Sequence, residues 1–146
     1  MPTRDGKLGV GVSGIGWCAA QHITAFQKNP HVRVTWLHGR DLDRARATLA
    51  KHSLSLADAR LTARYEDLLE APDVDIISIA TPNDLHAAQA VAAARAGKHM
   101  VLEKPTGLDE QELASIRDAG KAAGVRTIVS FELRFKLPAQ VSRQAV

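Results

Sequence analysis

The feature that most constrains the fold is a segment apolar at nearly every position, Ile76-Ile77-Ser78-Ile79-Ala80. A strand with one wet face alternates apolar and polar residues, so this segment predicts a strand covered on both faces, as in a parallel sheet. It belongs to a strand expected over Val74–Ala80, and four more short runs are predicted as strands: Leu8–Ser13, Val32–His38, His99–Leu102 and Val125–Phe131. Longer stretches of helical pattern separate them, which is the signature of βαβ units. Helices are expected over 17–29, from a cap at Asp41 to His52, from Tyr65 to Glu70, from a cap at Asn83 to Arg95, and from a cap at Asp109 to Ala123. Gly97 and Gly124 stand just past two of these ends, and Asp109 with Glu112 has the spacing of a capping box. With a further short strand near Leu61, the expected fold class is α/β: a doubly wound, mostly parallel sheet with helices on both faces.

Composition narrows the functional classes. The 146 residues fit one domain, and 45% apolar with 24% charged residues is the balance of an ordinary globular protein. The net charge of +3 is scattered, with no basic run and only 4% aromatic residues, so no nucleic-acid partner is expected. Cys18 is the sole cysteine, which excludes an internal disulfide and favours a reducing compartment. No apolar stretch is long enough for a membrane span, and the polar segment Met1–Lys7 does not read as a signal peptide. A cytoplasmic location with no membrane partner is the expectation, and no metal-ligating set is expected either.

In a doubly wound sheet ligands bind beyond the carboxyl ends of the strands, so the residues just after each strand carry the functional reading. The first strand is followed by Gly14-Ile15-Gly16-Trp17-Cys18-Ala19, which fits the G-x-G-x-x-A dinucleotide fingerprint of a Rossmann domain. Gly14 would permit the tight turn, Gly16 the close approach of a pyrophosphate, and Ala19 the packing of helix on strand. The phosphates, flanked by Ile15 and Trp17, would then meet the free N–H groups of the helix start. Cys18 is read as a packing residue. A purely structural turn is the competing reading, and the strand-before, helix-after context argues against it.

At the end of the second strand an acidic residue ordinarily bonds the adenosine ribose and repels a 2′-phosphate. This chain has Gly39 and Arg40 there, with Asp41 assigned to the helix cap and Arg44 one turn further on. A guanidinium suits a phosphate, so the expected cofactor is NADP. NAD stays open as the alternative, with Arg40 solvated and Asp41 turned back to the ribose.

Two more stretches fall on the expected cleft: Thr81-Pro82-Asn83-Asp84-Leu85-His86, and Glu103-Lys104-Pro105 after the Ala96-Gly97-Lys98-His99 run. With the glycine loop, these T-P-N-x-x-H, A-G-K-H and E-K-P motifs resemble the family of glucose–fructose oxidoreductase, inositol 2-dehydrogenase and their relatives (Gfo/Idh/MocA). The resemblance covers 8 to about 138, with Phe131-Glu132-Leu133-Arg134-Phe135 resembling the last strand of the domain. It implies hydride transfer between NAD(P) and a hydroxyl-bearing or carbonyl carbon of a sugar, polyol or related metabolite. It also implies that Lys104 is the catalytic residue beside the nicotinamide, that Glu103 bonds the nicotinamide ribose, and that Thr81, Pro82, Asn83 and His86 line the cofactor. For Asn83 and His86 the plainer reading, a helix cap and a packing histidine, carries equal weight. The Lys104-Pro105 bond is often cis in the family.

The family's second α/β domain, which supplies a histidine and often an aspartate, has no counterpart here. Residues 1–137 are therefore read as the NAD(P)-binding domain and 138–146 as the start of a connection to a substrate and dimerisation domain. A homo-oligomer is expected for the full-length form. The chain alone is expected to be incomplete for catalysis; the other functional class left open is a stand-alone dinucleotide-binding module, a sensor or inactive remnant.

Overall fold

Among the described residues six strands hydrogen-bond into one all-parallel sheet in the order β3-β2-β1-β4-β5-β6. The structure is a computed structural model that describes residues 6–55 and 58–131. The strands are β1 (Leu8–Ser13), β2 (Val32–His38), β3 (Arg60–Thr62), β4 (Ile76–Ile79), β5 (His99–Leu102) and β6 (Thr127–Val129). The helices are α1 (Trp17–Lys28), α2 (Leu42–Lys51), α3 (Glu66–Glu70), α4 (His86–Arg95, preceded by a 3₁₀ turn at Asn83–Leu85) and α5 (Glu110–Ala123). This strand order reverses direction between β1 and β4, which opens a crevice at their carboxyl ends.

The continuous apolar runs have the cause the sequence suggested. Val10 and Val12 pack with Ala19 and Ile23 of α1 on one face. Ile77 and Ile79 pack with Leu68 of α3, Ile116 of α5 and Ala87, Ala90, Ala93 and Ala94 of α4 on the other. Both layers are dry, with Val10, Ile23, Ile77, Ile79 and Leu102 fully buried. Each such aliphatic side chain contributes ~1.5–3 kcal/mol on leaving water. The alanines matter by being small, because they bring the α4 backbone close to β4 and β5.

Helix ends follow the expected chemistry with two differences. Asp41 caps α2, its Oδ1 accepting from the N–H groups of Asp43 and Arg44, and Gly124 closes α5 in the left-handed region at φ 66°. Asp109 caps α5 through the Glu112 N–H at 2.8 Å, but the return bond of the box falls one residue early, from Leu108 N to Glu112 Oε2 at 2.7 Å. Asn83 is not the cap of α4; it opens the 3₁₀ turn and is exposed, and no side chain caps that turn. The paired parts of the fourth and sixth strands are also shorter than the apolar runs. Val74 N bonds back to Ala71 O in a turn, the first interstrand bond comes from Asp75 N to Gly9 O and residue pairing begins at Ile76, and beyond Val129 the strand pairing gives way at Phe131, whose N–H turns to Val129 O. The expected strand residues 132–135 and the boundary at 137/138 lie outside the described residues.

The A-G-K-H run proves to be structural. Lys98 reaches across to donate from Nζ to Ala71 O and Val74 O, both at 2.8 Å, and His99 Nδ1 accepts from Arg126 N at 3.0 Å. Burial of the Lys98 ammonium holds it below its ordinary value, against the opposing pull of Asp75 and Asp73. No helix among the described residues is long and apolar enough to cross a membrane.

Candidate functional site

The glycine loop sits at the point where the strand order reverses. Gly14 has φ +89°, and a Cβ there would lie on the carbonyl of Ala80. Its N–H donates to His38 O at 2.9 Å, so this one residue ties together the ends of β1, β2 and β4. Gly16 is different: its φ of −107° is open to any residue, but a Cβ would project into empty space. It is the N-cap of α1, no side chain caps the helix, and the first helical bond runs from Ala20 N to Gly16 O. The N–H groups before that bond have no helical acceptor and carry the positive end of the helix dipole. An uncapped N-terminus opening past a bare glycine fits the pyrophosphate of a dinucleotide.

Beyond it lies a cleft of about 640 Å³, lined by Gly14, Ile15, Gly16, Gly39, Arg40, Arg44, Thr81 and Pro82 among the residues expected from sequence. Its rim carries three guanidinium groups, Arg40, Arg44 and Arg64, against the carboxylates of Asp41 and Glu66. Asp41 is engaged as the α2 cap, accepting at 3.1 and 2.9 Å. His38, Tyr65 and Gln89 also line the cleft, and none of them is marked by the fingerprint.

A buried polar chain forms its floor. Ser13 Oγ donates to Gln89 Oε1 at 3.1 Å, Thr81 Oγ1 donates to the same oxygen at 3.0 Å, and His38 Nδ1 lies 2.8 Å from Ser13 Oγ. The His38 ring also has a hydrogen bond to the Ala63 backbone, and its tautomer sets which partner of the Ser13–His38 bond donates. Burial keeps the His38 imidazole below its ordinary value, outweighing the opposing pull of Glu66. The Tyr65 hydroxyl donates to Gln89 O at 2.9 Å, and burial, with Glu66 nearby, pushes the phenol up so that it stays protonated.

The end of β5 is built otherwise. Glu103 is only 8% exposed and is the centre of a hydrogen-bond network. Its Oε1 lies 3.0 Å from His22 Nε2 and its Oε2 accepts from Lys104 N at 3.2 Å. His22 Nδ1 lies 2.8 Å from Ser78 Oγ. Burial pushes the Glu103 carboxyl up, but hydrogen bonds from Ser130, Cys18, the Lys104 backbone and His22 outweigh it and hold the group below its usual value. Lys104 itself is exposed at the strand end, and the Lys104-Pro105 bond is cis.

His86 has the burial of the packing histidine that was one of its two expected readings. It is 1% exposed, with Nδ1 2.7 Å from Pro105 O and Nε2 2.9 Å from Thr81 O. Both ring nitrogens lie within hydrogen-bond distance of backbone carbonyls, so His86 braces the two motifs against each other. Trp17, at 68% exposure, and Asn83 lie outside the cleft lining. The residues missed by sequence reasoning, Ser13, His22, His38, Ser78 and Gln89, act through partners 25 to 81 positions away, a distance that no local pattern reveals.

Comparison with known proteins agrees with this geometry. Residues 8–131 match the model of the Gfo/Idh/MocA group, described as an oxidoreductase family with an NAD-binding Rossmann fold. An uncharacterized oxidoreductase of Synechocystis is 34% identical over 133 residues, 91% of this chain and 35% of the relative. Among solved structures, the WlbA dehydrogenase of Bordetella pertussis, in complex with NADH and UDP-GlcNAcA, superposes with a TM-score of 0.84 at 28% identity, covering 95% of this chain and 41% of that one. The biliverdin reductase of Synechocystis, in complex with biliverdin and NADP+, gives 0.82 at 28% identity, covering 94% and 42%. The chain thus spans well under half the length of these relatives. It belongs to the Gfo/Idh/MocA oxidoreductase family and folds as that family's NAD-binding Rossmann domain.

Proposed function

We propose that this domain binds NADP(H) in preference to NAD(H), with NAD as the alternative cofactor, and serves a dehydrogenase acting on a sugar, polyol or related metabolite. The observation that carries the cofactor reading is the rim of the cleft: Arg40 and Arg44 flank the turn after β2, while Asp41, the carboxylate that could serve a ribose, holds the N-terminus of α2. Gly14 and Gly16 would admit the pyrophosphate, and Ile15, Gly39, Thr81 and Pro82 would form the walls around it. Once bound, the cofactor would supply or accept the hydride.

The protein's own part in the chemistry falls to Lys104. Its ammonium, exposed beside the end of β5, would offset negative charge growing on the substrate oxygen. Glu103, held by His22 and bonded to Lys104 N, would fix the backbone from which that lysine projects. Full turnover also needs a positioned acid/base and shielding from water, neither of which these residues provide; positioned proton transfer alone is worth ~10²–10⁴-fold. These groups are proposed to come from a partner domain, in a cytoplasmic, homo-oligomeric enzyme. Of the two solved relatives described above, one holds a nucleotide sugar and the other biliverdin, and a levoglucosan dehydrogenase in complex with NADH and levoglucosan is also similar, so the sugar reading draws support from the relatives as well as from the motifs.

The test is calorimetric titration of the 146-residue chain with NADP+, NADPH, NAD+ and NADH. NADP(H) should bind more tightly, and equal affinities would overturn the cofactor assignment. A fluorescence assay for NADPH formation over a panel of polyols and sugars should show no Lys104-dependent turnover by this chain. Robust turnover would mean that the active site is complete within it.

A further inference from the structure

Cys18, His22 and Glu103 bring a sulfur, a nitrogen and an oxygen donor within 4.8 Å of one another. Cys18 and His22 are four residues apart on α1, so both project from one helix face. Glu103 reaches them from the end of β5, 81 positions from His22. The cluster is largely sheltered: the side chains of His22 and Glu103 are 13% and 10% exposed.

We propose that these three side chains form a binding site for a thiophilic divalent cation of the zinc class. The donor set decides the class. A thiolate, an imidazole and one carboxylate suit zinc, whereas magnesium and calcium require oxygen ligands throughout. Tetrahedral zinc with ordinary bond lengths sets its donors ~3.3–3.6 Å apart. His22 Nε2 and Glu103 Oε1, now 3.0 Å apart, would open by a few tenths of an ångström, and the widest of the three donor separations, up to 4.8 Å, would close by about 1 Å. Three protein ligands would leave one position for water. Thiolate and carboxylate together would neutralise the dication. Cys18 is the second residue of α1, where the helix dipole favours the thiolate.

The surroundings supply the outer support that metal-binding histidines usually have. Ser78 Oγ lies 2.8 Å from His22 Nδ1, the ring nitrogen that faces away from the cluster. In the metal-free protein Nε2–H donates to the Glu103 carboxylate, and Nδ1 accepts from Ser78. With the cation on Nε2, the imidazole proton moves to Nδ1 and Ser78 Oγ becomes its acceptor. The Cys18 thiol gives up its proton to solvent, so one proton leaves per cation bound and affinity weakens as the pH falls.

The experiment is titration of the 146-residue chain with Co2+ as the spectroscopic probe, followed by displacement with Zn2+. One equivalent should raise a thiolate-to-cobalt charge-transfer band together with the visible absorption of a tetrahedral site. Because the chain holds a single cysteine, that band reports Cys18 alone. It should vanish in Cys18→Ser and weaken sharply in His22→Asn. Ser78→Ala keeps all three ligands and should lower the affinity for Zn2+ by ~10–100-fold, with circular dichroism confirming that each variant is folded. Absence of the band in the folded parent chain at excess Co2+ would overturn the proposal. So would a Zn2+ affinity that is the same in folded His22→Asn and Ser78→Ala as in the parent.

Discussion

The cleft and the neighbouring end of β5 are built on opposite plans. At the β1–β2 side the groups proposed to meet the cofactor are backbone atoms and glycines, held by a buried chain from His38 through Ser13 and Gln89 to Thr81. At the β5 side the acidic group is buried in the network and the basic group stands exposed: Glu103 is enclosed by His22 and its neighbours, and Lys104 lies open. The first plan completes its walls within this chain. The second leaves Lys104 exposed, with Trp17 and Phe131 exposed as well, at 68% and 53%. Cofactor binding and turnover should therefore separate experimentally in this chain.

The largest effect that would expose the separation is Gly16→Val. Its side chain would enter the path of the pyrophosphate while meeting no protein atom, so dinucleotide affinity should fall below calorimetric detection with the circular dichroism spectrum intact. A folded variant that binds as before would place the phosphates elsewhere. Gly14→Ala should instead act on the fold. A left-handed backbone costs ~1–3 kcal/mol for a residue with a Cβ, and the Ala80 carbonyl stands in the way of that atom. Urea denaturation should show the loss, and an unchanged midpoint would refute the role assigned to this turn.

Arg40→Ala should remove ~1–3 kcal/mol of the preference for NADP+ over NAD+, measured as the ratio of two dissociation constants. No change in that ratio would move the selectivity to Arg44 or Arg64.

A smaller effect follows from acidification. Burial lowers the folded His38 value beneath its ordinary 6.5, so in the window between the two the unfolded chain binds more protons. Stability from this group is complete above about 6.5 and is lost as the pH falls through the folded value. The melting temperature should drop on going from about pH 7 toward pH 5, and less so in His38→Asn, whose amide nitrogen can stand in for Nδ1. Glu103, also lowered, contributes in the same direction but further down, in the carboxylate range.

Smallest of all should be Lys104→Ala. An exposed lysine contributes within ~0.5 kcal/mol to stability, and cofactor affinity should hardly change. A large loss of either would mean that the β5 end is less open than its exposure suggests.

The β1–β2 end was also the more legible in sequence, for a physical reason. The places of Gly14, Gly16 and Arg40 around the cleft depend on backbone geometry and on residues close in the chain, and β1, β2 and β5 begin and end where the apolar runs do. The Glu103 network is written in separated places: nothing near His22 signals a glutamate 81 positions on. His86 shows the same limit, since its place in the first turn of a helix was readable but its burial between Thr81 and Pro105 was not. Asn83 was misread because a polar residue after a proline serves a 3₁₀ turn as readily as a cap.

The place of β1 at the middle of the sheet has a consequence during synthesis. Its second neighbour, β4, begins far along the chain, and the bond from Gly9 N to Asp75 joins residues 66 positions apart. At a translation rate of roughly 5–20 residues per second, about 3–13 s pass between the emergence of the two partners. Through that interval β1 can pair with β2 on one side while its other edge stays open, an apolar template for any nascent chain nearby. Growth temperature and ribosome speed should therefore govern how much of this protein reaches the soluble fraction, more than substitutions on its outer helices.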